Sequence, residues 1–143
     1  MGLLMNIATK PRVLLMEDDG LVRGSLSRAL RSEGFEVVWA EKGAVGRTAA
    51  QETPAILLLD VDMPDTDGWE EARMVGRECS LIPMVVITAR TGEHRRADWA
   101  GAKALMEKPL DFPTLLRLMR QLIARARADD PATLGTTCEQ VIA

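Results

Sequence analysis

Residues 55–68 read AILLLDVDMPDTDG, and this stretch decides the fold. Ala55 to Leu59 are apolar without a break, and the run stops at Asp60. A strand with one wet face alternates polar and apolar residues. An unbroken run is the mark of a strand covered on both faces, the habit of a parallel sheet wrapped by helices. Asp60 then stands at the carboxyl end of a central strand, where open α/β sheets place their ligands. Met63 to Gly68, just beyond it, is dense in turn formers.

Outward from this stretch the chain alternates. Upstream, RVLLM (Arg12 to Met16) is a first strand that ends at three acids, Glu17, Asp18 and Asp19. Val22, Leu26, Ala29 and Leu30 then share one helical face, and Gly34 ends that helix. Phe35 to Trp39 is a β-branched and aromatic second strand. Ala44 to Glu52 reads as a helix closed by Thr53-Pro54. Downstream, Trp69 to Cys79 is a helix, Pro83 to Thr88 a fourth strand, and Thr91 to Ala100 a polar helix candidate. Lys103 to Glu107 is a fifth strand leading into Lys108-Pro109. Asp111 suits the N-cap of a last helix, with Pro113 in its first turn and a core stripe of Leu115, Leu118, Met119 and Leu122.

Strands separated by helix-length crossovers pair in parallel with right-handed connections. The expected architecture is α/β: a five-stranded parallel sheet with helices on both faces, doubly wound and flavodoxin-like. Residues 1–11 read as a leader and 12–128 as the domain. Residues 129–143 read as a tail or linker stub, in which Leu134, Cys138, Val141 and Ile142 fall on one helical face.

The totals narrow the class. With 143 residues, 47% hydrophobic and 27% charged, the chain is one globular domain rather than a disordered one. A net charge of −3, no Tyr and two Phe argue against a nucleic-acid surface. Cys79 and Cys138 are far apart and read as free thiols of a reducing compartment. The start MGLLMNIATK is too short and too weakly charged for a signal peptide, and no apolar run approaches membrane-spanning length. The expected setting is cytoplasmic.

In a parallel sheet all carboxyl ends lie on one edge. That edge gathers Glu17, Asp18 and Asp19 from the first strand and Asp60 from the third. Thr88 joins them from the fourth strand and Lys108 from the fifth. Close carboxylates repel by roughly 4 kcal/mol per pair at an effective dielectric of 20. A hard divalent cation relieves that repulsion, and oxygen-only ligands with room for waters suit Mg²⁺. A nucleophilic carboxylate, a metal, a lysine and a hydroxyl are together the parts of phosphoryl transfer.

These motifs, in this order, resemble the receiver domain of two-component response regulators. They are Met16-Glu17-Asp18-Asp19 with Arg23, Leu59-Asp60-Val61-Asp62-Met63-Pro64 with Asp67-Gly68, Ile87-Thr88-Ala89, and Lys108-Pro109. The likeness covers Arg12 to Arg127. It implies that Asp60 is the phosphoacceptor and that Glu17, Asp18, Asp60 and the Asp62 backbone carbonyl hold Mg²⁺. It also implies that Thr88 and Lys108 bind the phosphoryl oxygens and that the Lys108-Pro109 peptide is cis. The donor would be a phosphohistidine on a sensor histidine kinase or phosphotransfer protein. The single His94 reads as a surface residue outside that relay. Such a domain acts on itself only and is not an enzyme in the ordinary sense. Its signalling surface, and a possible homodimer face, lies on the fourth and fifth strand–helix units with Arg95, Arg96 and Trp99. It binds neither nucleic acid directly nor membrane.

Two features depart from the family pattern. Leu105 stands three residues before the lysine, where receivers carry Tyr or Phe, so a signal would travel through aliphatic packing. Arg90 and Asp62 flank the phosphoryl position and would pair across the pocket mouth. Bland readings stand beside the sharp ones: Asp60 as a turn cap, Asp19 as an N-cap, Asp65 and Asp67 as turn residues, Thr88 as a satisfied strand-end hydroxyl. Two other functions remain open. One is a receiver-like interaction module that works without phosphorylation. The other is a haloacid-dehalogenase-type phosphatase, whose D-x-D motif Asp60-Val61-Asp62 imitates, although Pro64 stands where that family wants Thr or Val.

Overall fold

The computed structural model describes residues 10–64 and 67–129, together with the backbone of 139–140. Its strands are β1 (Arg12–Met16), β2 (Glu36–Trp39), β3 (Ile56–Asp60), β4 (Met84–Thr88), β5 (Ala104–Glu107) and β6 (Glu139–Gln140). Its helices are α1 (Gly20–Ser32), α2 (Val45–Glu52), α3 (Gly68–Glu78), α4 (His94–Ala100) and α5 (Phe112–Ala128). The sheet order is β2-β1-β3-β4-β5-β6, and every pairing is parallel. The expected five-strand doubly wound core is therefore present, with one two-residue edge strand added from the tail. The helical face read over the tail is not what residues 139–140 form. They pair with Ala104 and Leu105 instead, and the rest of that face lies outside the described residues.

All five residues of β3 and all five of β4 are buried, as the unbroken apolar runs require. The pleat sends alternate side chains to opposite layers. Leu57, Leu59 and Val86 pack against Ala49 of α2, Trp69, Ala72 and Val75 of α3, and Ala97 and Ala100 of α4. Ile56, Leu58 and Val85 pack against Leu26 and Leu30 of α1 and against Leu115, Leu118, Met119 and Leu122 of α5. The α5 stripe is the one expected. The α1 stripe reaches the core only from Leu26 onward, because Val22, in the first turn, is 44% exposed.

Caps differ in how they work. Asp19 caps α1 by accepting from the amides of Leu21 and Val22, and Asp67 caps α3 by accepting from Trp69. Asp111 holds the N-cap position of α5, yet its carboxylate accepts from the Thr114 hydroxyl rather than from a backbone amide. Asp65 lies outside the described residues.

The α3–α4 seam is close. A Cβ added to Gly76 would stand 2.0 Å from the Ala100 carbonyl oxygen. Arg73 stacks 4.2 Å from the Trp99 ring centroid and donates to the Trp99 carbonyl at 3.1 Å. Among the described residues, no helix is long and apolar enough to cross a membrane.

Candidate functional site

The strand register delivers the site. Met16 lies beside Leu59, Asp60 beside Ile87, and Thr88 beside Glu107, so β1, β3, β4 and β5 end on one rim. Asp60, at the end of β3, is 3% exposed. Its Oδ2 lies 2.6 Å from Lys108 Nζ, and its Oδ1 accepts from the Asp62 amide at 2.8 Å. The β5–α5 turn that brings Lys108 in carries a cis Lys108-Pro109 bond, as the resemblance implies. The Lys108 amide also donates to the Thr88 carbonyl at 2.9 Å, which ties that turn to the end of β4.

Glu17 is buried on the acid side and Asp18 is exposed. Glu17 Oε2 accepts from the Asp19 amide at 3.1 Å, and Arg23 holds the Glu17 carbonyl at 3.0 Å. Burial pushes the Glu17 carboxyl up to about 7, and its hydrogen bond with Asp60 adds to the rise against the Asp19 amide. Lys108 is affected the other way. Burial alone would lower its ammonium, but the hydrogen bond and charge of Asp60, then those of Asp62, hold it above the ordinary lysine value. These are strongly opposed charges in a small volume, with two carboxyls touching and one ammonium between two acids.

Glu17 sets a pH dependence. Its folded value exceeds its unfolded one, so the stability it contributes is full at low pH and is lost as pH climbs from 4.5 through about 7. The shifts of Asp62 and Lys108 act outside that window. The metal-free chain should therefore be less stable at about pH 8 than at about pH 5, and Glu17→Gln should flatten the difference. Urea midpoints at the two pH values measure it, and a wild-type midpoint that rises with pH would contradict the assignment.

The Asp62 side chain is not where the sequence reading put it. Pairing with Arg90 across the mouth is replaced by an inward arrangement. Asp62 Oδ1 accepts from Thr88 Oγ1 at 2.8 Å, and Oδ2 accepts from the Ala89 amide at 2.7 Å and faces Lys108 Nζ at 3.2 Å. Burial would raise this carboxyl, yet the Thr88 and Ala89 bonds, then Lys108, hold it below the usual aspartate value. Thr88 is fully buried and its hydroxyl also accepts from the Arg90 amide at 3.1 Å. The Ala89 amide is the participant that sequence reading missed. Its only signal is its place after Thr88, since a backbone N–H has no residue type.

Gly68 has a visible reason at the mouth. A Cβ there would fall 2.3 Å from the Val61 carbonyl oxygen, so only glycine lets α3 start this close to the end of β3. Beside the site, Val61 to Pro64, Trp69, Ala89, Arg90 and Arg96 line an open cleft of about 880 Å³. His94 opens α4 and does not line this site, but it is half-buried with its Nδ1 enclosed rather than the surface residue expected.

Oxygen donors, an acid held near neutrality and a buried carboxylate against it form a setting that suits a hard cation with waters of its own. Among the described residues, no three acidic, histidine or cysteine side chains make a ready cage. The side chains in contact are Glu17 and Asp60, so a cation would also need backbone oxygen and water.

A doubly wound α/β domain with a buried acid and a lysine at the carboxyl rim is the architecture of receivers. The profile of the response regulator receiver domain matches residues 13–120. The chain belongs to this family: it is a receiver domain of two-component response regulators. It is 36% identical over 124 residues to response regulator MprA of Mycobacterium leprae (strain TN), and equally so to MprA of Mycobacterium tuberculosis (strain ATCC 25618 / H37Rv). Each alignment covers 85% of this chain and 54% of the relative, so the chain spans about half the length of these relatives. In structure it is similar to a LuxR-family response regulator from Aurantimonas sp. SI85-9A1. That match has TM-score 0.72 and 26% identity, and covers 86% of this chain and 91% of that one. The fold also matches a CheY-like receiver domain protein from Methanospirillum hungatei JF-1. Here the TM-score is 0.73 at 22% identity, covering 82% of this chain and 97% of that one.

Proposed function

We propose that Asp60 accepts a phosphoryl group from a phosphohistidine on a sensor histidine kinase or phosphotransfer protein. The observation that carries this is the buried Asp60 carboxylate with Lys108 Nζ at 2.6 Å. An Asp60 carboxylate oxygen forms a bond to phosphorus as the bond from phosphorus to the donor's imidazole nitrogen breaks. The electron pair of the broken bond leaves with that nitrogen. Lys108 and Thr88 take the phosphoryl oxygens, and the low exposure of Asp60 limits water at the acyl phosphate. Mg²⁺, held by Glu17, Asp18, Asp60 and the Asp62 carbonyl, would offset charge on the transferred group. Residues 12–128 form the functional unit, and the chain catalyses only its own phosphorylation and dephosphorylation.

Output would then run from Thr88 to the face of the fourth and fifth strand–helix units, β4–α4 and β5–α5, through which two copies would pair. Leu105 bears on this step. It is fully buried, an aliphatic side chain where an aromatic would turn inward. The same observation favours a second reading, an interaction module that signals without phosphate. Acetyl phosphate with Mg²⁺, followed by intact mass and oligomeric state, separates the two. One added phosphoryl group on wild type is the expected result, and none under saturating donor would leave the module reading in its place.

A further inference from the structure

Three donors from two loops converge on one side chain from a third. The Thr88 hydroxyl, the Ala89 amide and the Lys108 ammonium all meet the Asp62 carboxylate, at 2.8, 2.7 and 3.2 Å. A hydroxyl, an amide and an ammonium aimed at one point make an oxyanion seat. We propose that the Asp62 carboxylate is a resident anion in the seat that the phosphoryl group takes, and that phosphorylation of Asp60 has to displace it. This rests on the reading of Asp60, Thr88 and Lys108 given above.

The geometry makes the exchange a competition. Asp62 is two residues from Asp60, and its own amide is fastened to Asp60 Oδ1 at 2.8 Å. Backbone and side chain are thus held separately, and the carboxylate can leave while the amide stays. Its Oδ2 and Asp60 Oδ2 share the same ammonium, at 3.2 and 2.6 Å. A phosphoryl group on Asp60 would bring further negative oxygens to that ammonium, and two anions cannot both satisfy the Thr88 hydroxyl, which has one proton to give. A displaced carboxylate has somewhere to go. The cleft next to it is lined by Arg90 and Arg96, and opens to solvent. The Thr88 hydroxyl is therefore engaged before any phosphoryl group arrives, and Asp62 acts as a positioning residue that sets how readily the seat is vacated.

The test compares wild type, Asp62→Ala and Asp62→Asn in the full chain, with Asp60→Asn as the unlabelled control. Acetyl phosphate with Mg²⁺ is the donor, and intact mass follows labelling over time. Removing the competing anion should speed labelling roughly tenfold in Asp62→Ala. Asp62→Asn, which keeps an acceptor but no charge, should fall between. General damage to the fold would slow labelling, so a gain reads the competition itself. Labelling of both variants at or below the wild-type rate would overturn the resident anion and leave the phosphoacceptor reading intact. If no form labels, that reading fails instead, and inorganic phosphate is then titrated into wild type and Asp62→Ala. Tighter binding by the variant supports the resident anion, and equal binding overturns it.

Discussion

Asp60→Asn is expected to take up no phosphate from acetyl phosphate under conditions that label wild type fully. The carboxamide keeps the shape of the side chain and an oxygen for the Asp62 amide, which wild type holds at 2.8 Å. The fold should therefore persist. What disappears is the anionic nucleophile, since a neutral amide oxygen does not displace a leaving group from phosphorus at a useful rate. The same variant carries a second readout. Burial contributes most to raising the Glu17 carboxyl, but its hydrogen bond with Asp60 and the Asp60 charge both add to it. With the charge gone, Glu17 should titrate below about 7 while staying above 4.5, because the burial, the largest cause, remains. Carboxyl-carbon NMR titration reads that shift. Phosphate appearing on the variant would mean that another acid is the acceptor.

Gly76→Ala should be among the most damaging single substitutions in the chain. Intrinsic helix preference alone would favour alanine by about 1 kcal/mol. The new methyl carbon, however, would stand 2.0 Å from the Ala100 carbonyl oxygen and 3.2 Å from its carbon. These are backbone atoms of α4 and cannot swing aside as a side chain would. The helices must part, which opens the Trp69, Ala72, Val75 and Ala97 layer. A loss of about 3 kcal/mol or more is expected, a large share of the roughly 5–15 kcal/mol that holds an ordinary domain folded. Gly46→Ala is the companion. Its added carbon meets only the Glu78 carboxylate, at 2.8 Å, the far end of a flexible side chain. That variant should be neutral or slightly stabilised. Urea midpoints for the pair decide the matter, and equal midpoints would mean that the seam has slack.

The strands and the site rim were legible because one physical rule governs both. Short apolar runs such as Ile56 to Leu59, bounded by Pro54 and Asp60, suit central strands, and parallel strands of similar length end together. That places Asp60, Thr88 and Lys108 side by side before any coordinate is known. Side-chain direction was not legible. Asp62 could face the mouth or the donors, and the choice depends on the Ala89 amide, which carries no mark in the sequence. Val22 follows the helical period faithfully, but periodicity cannot say that the first turn of α1 is largely exposed. Asp111 satisfies the cap preference by residue type, while its bond to Thr114 depends on a rotamer. Gly76 reads as a weak helix residue, and only the packed structure turns it into a requirement. The pairing of Glu139–Gln140 with β5 depends on a long-range contact that no local pattern announces.

The α3–α4 seam bears on how the cleft can change shape. Its two walls are residues after β3, Val61 to Pro64 with Asp67 and Gly68, and the segment after β4, with Ala89 and Arg90. Each runs into one of the two helices that meet backbone to backbone at Gly76 and Ala100, under the Arg73–Trp99 stack. The walls are thus two jaws on one welded handle. Sliding one helix past the other would break the Arg73–Trp99 stack and the close Gly76–Ala100 approach. Whatever moves α4 carries α3 with it, and a partner seated on either helix feels the same displacement.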